Sequence, residues 1–90
     1  MNLATLPGHD LVSEGLGDLG RGVESVPAFL VSAASIRLKA LGIAVPTPLP
    51  NAAHRLYDLL AVMEGNGAHS KYNALLRRIV SFARAAECVR

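Results

Sequence analysis

The stretch from residue 71 to residue 88 repeats its apolar residues with the period of an α-helix, and no part of the sequence alternates as a β-strand does. At about 100° per residue, the apolar side chains of this stretch share an arc of about 120°. They are Phe82, Leu75, Ala86, Ile79, Tyr72, Ala83 and Leu76. We therefore predict an all-α fold with a last helix from Lys71 to about Cys88, capped by Ser70. Its core residues are expected to be Leu75, Ile79 and Phe82.

A short, glycine-rich first helix is predicted from Leu11 to about Arg21, with Asp10 as its N-cap. One side of this helix carries an apolar stripe and the other carries charges. The stripe is Val12, Leu16, Leu19 and Val23, and the charged residues are Asp10, Glu14, Asp18 and Arg21.

Within this helix, residues 15–20 read GLGDLG and match the G-x-G-x-x-G pattern of dinucleotide-binding turns. That turn needs a preceding strand and an acidic residue about 20 positions later. The preceding residues favour a helix, and no acidic residue occurs between Glu24 and Asp58. We interpret the glycines as packing residues that let a neighbouring helix approach, and we expect no cofactor.

A second helix is predicted over residues 25–41, with Ser25 as its cap, Pro27 in its first turn and Gly42 at its end. It is apolar nearly all the way round, which is typical of a central helix. The sequence VPTPLPN, residues 45–51, predicts an extended, polyproline-like connector.

The third helix is predicted over residues 52–64, with Asn51 as its cap and the GNG turn at 65–67 after it. Its shared apolar face consists of Leu56, Leu59, Leu60 and Met63. The short turn makes the third and fourth helices antiparallel neighbours. Together these elements predict one domain over residues 1–90, a compact four-helix bundle.

Apolar residues make up 51% of the chain and charged residues 18%, against about 25% in typical proteins. A domain of this length buries only roughly 60–65% of the surface that its unfolded chain exposes. Some apolar surface is therefore expected to remain for a protein partner or for a second copy in a two-fold dimer.

Cys88 is the single cysteine, which excludes an intrachain disulfide and a four-thiolate zinc site. The longest apolar run, residues 26–36, is shorter than the roughly 20 residues that cross a bilayer. The first ten residues lack the features of a signal peptide. These observations favour a cytoplasmic protein without a membrane segment.

No combination of residues fits an active site. His54 and Asp58 are four residues apart on the third helix. They fit either a general base oriented by a carboxylate or a weak surface pair. We favour the surface pair because no nucleophile accompanies it. The chain is therefore expected not to be an enzyme, with no catalytic, cofactor-binding or metal-binding residues.

The positive excess of the chain lies in its last helix. Arg77 and Arg84 are seven residues apart on one flank of its apolar face, and Lys71 and Arg78 are seven apart on the other. Such rows are typical of a packed amphipathic helix whose arginine stems cover the seam. Alternatively, these residues contact the phosphates of a nucleic acid.

Arg37 falls within the apolar arc of the second helix. It either extends its charge to solvent from the end of that helix or lies at the rim of a dimer interface. In the dimer, its expected neighbour is an acidic residue of the first helix in the other copy, such as Glu14 or Asp18.

Two segments, HRLYDLL at 54–60 and AHSKYNALLRRIVSFARAAEC at 68–88, resemble the C-terminal half of short uncharacterised proteins carried by bacterial integrative and conjugative elements and pathogenicity islands. The resemblance implies a mobile-element context and carries no functional residues. The leading interpretation is a non-enzymatic protein-interaction module with an accessory or regulatory role. The alternative is a DNA-binding regulator, and in either case the candidate contacts are Arg37, Lys71, Arg77, Arg78 and Arg84.

Overall fold

Helices account for most of residues 5–89, the part of the chain that the computed structural model describes, with side chains described through Cys88. They are α1 (His9–Gly20), α2 (Val26–Ala33), α3 (Ser35–Ala40), α4 (Ala52–Glu64) and α5 (Ala68–Val89), with a 3-10 turn at Gly65–Gly67. No strand occurs in this described range, which confirms the all-α prediction. The radius of gyration is 12.6 Å, close to the roughly 12 Å expected for a compact chain of this length.

α2 lies at the centre of the molecule. It packs against α1 on one side and α4 on the other, and it also contacts α5. The residues that it buries follow one another without a gap, namely Ala28, Phe29, Leu30, Val31 and Ser32. This confirms that the first part of the predicted second helix is central.

The predicted helix over residues 25–41 is divided at Ala34, where φ is −98° and ψ is 12°. The segment after this break, α3, buries only Leu38, and Ile36 is 85% exposed. The prediction of a central helix was therefore wrong for α3. The apolar residues continue past the end of α2, but the neighbouring helices cover mainly α2, so apolar composition alone overestimated how far the buried part extends.

Both ends of this helical region follow the predicted capping chemistry. The Ser25 hydroxyl accepts a hydrogen bond from the backbone N–H of Ala28, and Pro27 lies in the first turn. After α3, Gly42 takes a φ of 86°. Its N–H donates to the Lys39 carbonyl while the N–H of Ile43 donates to the Leu38 carbonyl. This is a Schellman motif, which uses glycine because the left-handed conformation strains other residues.

Two of the remaining predicted caps, Asp10 and Ser70, were wrong, whereas Asn51 was confirmed in position. α1 begins at His9 after Gly8, which has a φ of 81°, so Asp10 lies inside the first turn. Asn51 occupies the N-cap position of α4, but its side chain makes no capping hydrogen bond. α5 begins at Ala68 because the 3-10 turn passes directly into it, and Ser70 is already helical.

α1 lies close to α2 at Gly15. A Cβ atom added there would be 2.4 Å from the carbonyl oxygen of Pro27 and 2.5 Å from a methyl group of Val31. Residue 15 must therefore be glycine for the two helices to approach this far. This confirms the packing interpretation for Gly15 but not for Gly17, where a Cβ atom would meet only the end of Arg21, or for Gly20, where it would meet nothing within 4 Å.

Asp18, expected on the charged side of α1, is instead 7% exposed. Its carboxylate accepts hydrogen bonds from Arg21 and from the Ser25 hydroxyl. Because Ser25 also caps α2, these contacts tie the end of α1 to the start of α2. Asp18 was misplaced because its burial depends on a contact with Ser25, which lies outside α1 and is therefore absent from a helical projection of α1.

The proline-containing connector follows the surface of α2. Val45 is buried, and the N–H of Leu49 donates a 3.0 Å hydrogen bond to the Ser32 hydroxyl. Thr47 and Asn51 have positive φ values of 28° and 52°, so the segment bends and is not uniformly extended as predicted. Its contacts with the core fix the path from α3 to α4.

α4 and α5 pack side by side after the 3-10 turn, and the ring centroids of Tyr57 and Tyr72 lie 5.4 Å apart across them. The predicted core residues of α5 are confirmed, since Leu75, Ile79 and Phe82 are all buried. On α4, Leu56 and Leu60 are buried as predicted, whereas Met63 is 61% exposed. That residue lies near the end of α4, beyond the turns that bury Leu56 and Leu60.

Candidate interaction surface

The outer surface of α5 carries the basic residues that the sequence singled out. The buried residues of this helix centre on the direction of Ala68, Ile79 and Ala86. At about 100° per residue, Arg77 and Arg84 point roughly 160–180° away from that direction. The prediction that they flank the apolar face was wrong, because they lie on the side opposite the core and their stems do not cover a seam.

Arg77 and Arg84 are exposed and form no ion pair with any residue in the described range 5–89. Lys71 is also exposed and unpaired within that range, and it lies on the flank of α5. These cations are therefore available to a partner without breaking a contact within the domain.

Arg78 has a different role from its neighbour Arg77. Its guanidinium donates hydrogen bonds of 2.9 and 3.0 Å to the two carboxylate oxygens of Asp10. The hydrogen bond from Arg78 lowers the pKa of the Asp10 carboxyl group, and the positive charge of Arg78 acts in the same direction. This pair links α5 to the first turn of α1 and gives Arg78 a structural partner.

Beside this pair, a shallow depression of about 180 Å³ is lined by Pro7, Gly8, Arg77, Arg78 and Ser81. Gly8 lies close to α5 here, since a Cβ atom on it would be 2.7 Å from the Arg78 carbonyl oxygen. The segment just before α1 thus forms one wall of the depression, and Arg77 belongs to the wall formed by α5.

Arg37 forms an ion pair with Glu87 of α5, with 3.4 Å between a guanidinium nitrogen and a carboxylate oxygen. Both side chains are about half exposed. The acidic neighbour within the domain is therefore Glu87, and the expected neighbour Asp18 is already engaged by Arg21 and Ser25. Arg37 lies at the surface, as the snorkelling alternative predicted.

Separate from the basic residues, large apolar side chains are exposed. Val62 is 86% exposed beside Met63 near the end of α4, and Ile36 is exposed on α3. Met63 was predicted on the core-facing side of its helix, and Ile36 belongs to the helix that was predicted to be apolar nearly all the way round. Val62 was given no role. Val62 lies roughly 120–160° around α4 from the buried Leu56 and Leu60, so a helical projection could have placed it outside. For Met63 and Ile36 the signal for exposure was position, since each lies near the end of its helix.

The structure also shows where the His54–Asp58 pair and the GLGDLG segment lie. His54 and Asp58 form an exposed pair with 3.3 Å between Nε2 and a carboxylate oxygen, which confirms the surface pair. GLGDLG lies within α1 and not at a strand-to-helix turn.

Within the described range, no three potential metal-ligating side chains come together. None of the described helices has the length and apolar character needed to span a membrane.

Neither the protein-family models nor the curated proteins nor the solved structures include a match to this chain.

Proposed function

We propose that the chain is a small, non-enzymatic helical module that acts by binding another protein in the bacterial cytoplasm. The exposure of Val62 and Met63 supports this proposal. Exposing neighbouring large apolar side chains is unfavourable in water, and burying them on a partner removes that cost. In this proposal α2 and α3 act as one bent helix, so that the working domain is a four-helix bundle.

A two-fold homodimer is the first form of association that we propose, because it is the commonest closed arrangement. We expect light scattering at micromolar concentration to give twice the chain mass. The double variant Val62→Ser and Met63→Ser should shift the mass toward the monomer. Ala61→Ser, at a neighbouring exposed position on the same helix, is the control and should leave the mass unchanged.

A monomer mass that does not change with tenfold dilution would rule out the homodimer and leave a different protein as partner. Equal masses for the double variant and the control in a dimeric sample would show that Val62 and Met63 are not at the interface. Thermal unfolding of each variant verifies that the exposed substitutions leave the fold intact.

The second candidate function is binding of duplex DNA by the basic side of α5. The unpaired, exposed guanidinium groups of Arg77 and Arg84 favour this candidate. Phosphate contacts would make the affinity fall steeply with salt. Replacing both arginines with glutamine would reduce the slope of log affinity against log salt concentration by about two, one for each lost phosphate contact. A salt-independent or undetectable interaction would eliminate the candidate.

We place this module among the accessory or regulatory factors of a bacterial mobile element. The support is the resemblance of residues 54–60 and 68–88, which form much of α4 and nearly all of α5. Deleting the gene should change the excision or transfer frequency of its host element. An unchanged frequency for both processes would contradict this assignment.

A further inference from the structure

We propose that the outer face of α5 binds an acidic α-helix of a protein partner. We define the outer face as the exposed residues that point away from the core, namely Ser70, Ala74, Arg77, Ser81, Arg84 and Cys88. This inference rests on the proposed function of protein binding and names the surface and the chemistry of the partner.

The outer face has the spacing with which one helix lies along another. Its six residues follow at intervals of four and three, an average of 3.6 residues, which is the period of the α-helix and keeps them in one strip. They extend from Ser70 to Cys88, about 27 Å along the axis at 1.5 Å per residue. A straight strip of this length can contact a partner helix over about five turns. The small side chains of Ser70, Ala74 and Ser81 leave room for that helix between the arginines.

Charge determines what kind of helix fits. Arg77 and Arg84 are seven residues apart, which corresponds to about 10.5 Å along α5. Two carboxylates seven residues apart on a partner helix have the same separation, so both arginines can be paired at once. Arg21, Arg37, Arg55 and Arg78 already have carboxylate partners inside the domain. The outer-face arginines are the ones left for an external acid among the arginines that the structure describes.

A second copy does not fit this face. Two outer faces brought together would place arginines against arginines, and like charges in contact are destabilising. The acidic residues without an ion pair in the described range are Glu14 on α1 and Glu64 on α4. Because they lie on different helices, no described helix of a second copy offers two free carboxylates seven residues apart. The homodimer proposed above must therefore use another surface, such as the one around Val62 and Met63.

Nucleic acid fits the outer face less well than an acidic helix does. Strong, salt-sensitive binding to duplex DNA typically uses about six to ten phosphate contacts. The outer face provides two arginines, and Arg78 beside it is held by Asp10. Lys71 points to the flank, roughly 120° from Arg77 around the helix. The basic surface is thus a narrow row, matched in shape to a row of carboxylates on one helix.

The test uses the full chain and a designed peptide. The probe is an alanine-based helical peptide of about 20 residues with glutamates every seven positions on one face, labelled for fluorescence anisotropy. An isomeric peptide of the same composition, with its glutamates distributed around the helix, is the matched probe. We expect the ordered peptide to bind more tightly than the isomer.

Two variants with the same change in net charge distinguish the face from general attraction. Replacing Arg77 and Arg84 with glutamine should weaken binding of the ordered peptide roughly 2- to 30-fold, the range for two exposed ion pairs. Lys39→Glu also lowers the net charge by two, and it should leave the affinity within about twofold because Lys39 lies on α3, off the face.

A steric variant provides a readout that is independent of charge. Ser81→Trp places a large side chain between the arginines and should weaken binding of the ordered peptide. Ala61→Trp, on the exposed surface of α4, is its control and should leave binding unchanged.

The proposal is overturned if the ordered peptide does not bind, or if it binds no better than its isomer. Equal weakening by the two charge variants would also overturn it, since general attraction then accounts for the binding. Tight binding of a DNA duplex that depends on Arg77 and Arg84, without peptide binding, would assign the face to nucleic acid. Self-association through Val62 and Met63 is measured separately, so its loss or persistence does not alter these outcomes.

Discussion

Substituting alanine at two glycines of α1 tests whether the close contact between α1 and α2 determines the glycine content of this helix. In an exposed helix interior, glycine to alanine stabilises by about 1 kcal/mol because glycine loses more backbone entropy on folding. At Gly17 the new Cβ would meet only the guanidinium end of Arg21, at 3.4 Å. A flexible side chain of that kind can move, so Gly17→Ala should stabilise the protein by about 0.5–1 kcal/mol.

At Gly15 the same substitution should have the opposite sign. The new Cβ would overlap the Pro27 carbonyl oxygen at 2.4 Å and the Val31 methyl group at 2.5 Å. A backbone carbonyl within a packed helix cannot rotate away, so α1 as a whole must shift. Overpacking typically costs about 1–3 kcal/mol. An overlap with a backbone atom at 2.4 Å belongs to the upper part of that range, about 2–3 kcal/mol, which exceeds the gain of about 1 kcal/mol in helix propensity. We expect a net destabilisation of about 1–2 kcal/mol for Gly15→Ala.

Chemical denaturation and thermal unfolding measure both effects. For a domain of this size, 1 kcal/mol corresponds to a shift of about 4–8 °C in Tm. Gly15→Ala should therefore lower the Tm by roughly 4–16 °C, while Gly17→Ala should raise it by roughly 2–8 °C. Equal stabilisation by the two substitutions would refute the reasoning, because it would mean that α1 does not approach α2 closely at Gly15.

Three further predictions concern the contacts that hold the helices together. Phe82 is 1% exposed, so Phe82→Ala should lower the free energy of unfolding by about 3–5 kcal/mol in urea denaturation. A near-neutral effect would contradict the core position of Phe82. Ser25→Ala removes the cap of α2 and a donor to Asp18, so unfolding in urea should show a loss of about 1–2 kcal/mol, and no loss would mean that these bonds are replaced by water. Because the pKa of Asp10 is lowered in the folded protein, the stability from its pair with Arg78 is present above the unfolded pKa and is lost as pH falls through the folded pKa. NMR titration should show the Asp10 pKa rising in Arg78→Gln, and an unchanged pKa would mean that the pair is not formed in solution.

The helices and most of the α5 core could be predicted from the sequence because both follow from local order. Periodic apolar residues identify a helix and its buried side, and Leu75, Ile79 and Phe82 are buried accordingly. Ser25 and Gly42 could be assigned because their capping bonds join residues only a few positions apart. A helical projection contains this information completely.

Contacts between distant residues could not be predicted in the same way. Arg78 and Asp10 are 68 positions apart, and only the folded arrangement of α1 against α5 brings them together. The burial of Asp18 likewise depends on how α2 follows α1. Ile36 and Met63 were misassigned because a projection does not show how far along its axis a helix is covered by its neighbours.

The ion pairs distinguish the arginines that support the fold from those whose charges are left for binding. Arg78 links α5 to α1, Arg37 links α3 to α5, and Arg55 links α4 to Glu24 just before α2. Each of these arginines joins segments that are distant in sequence, and removing one would loosen a contact between helices. Arg77 and Arg84 join nothing within the described residues, so their loss should leave stability within about 0.5 kcal/mol of the wild-type value. A measured loss of binding in the variant that lacks both can then be attributed to the outer face of α5 and not to a change in the fold.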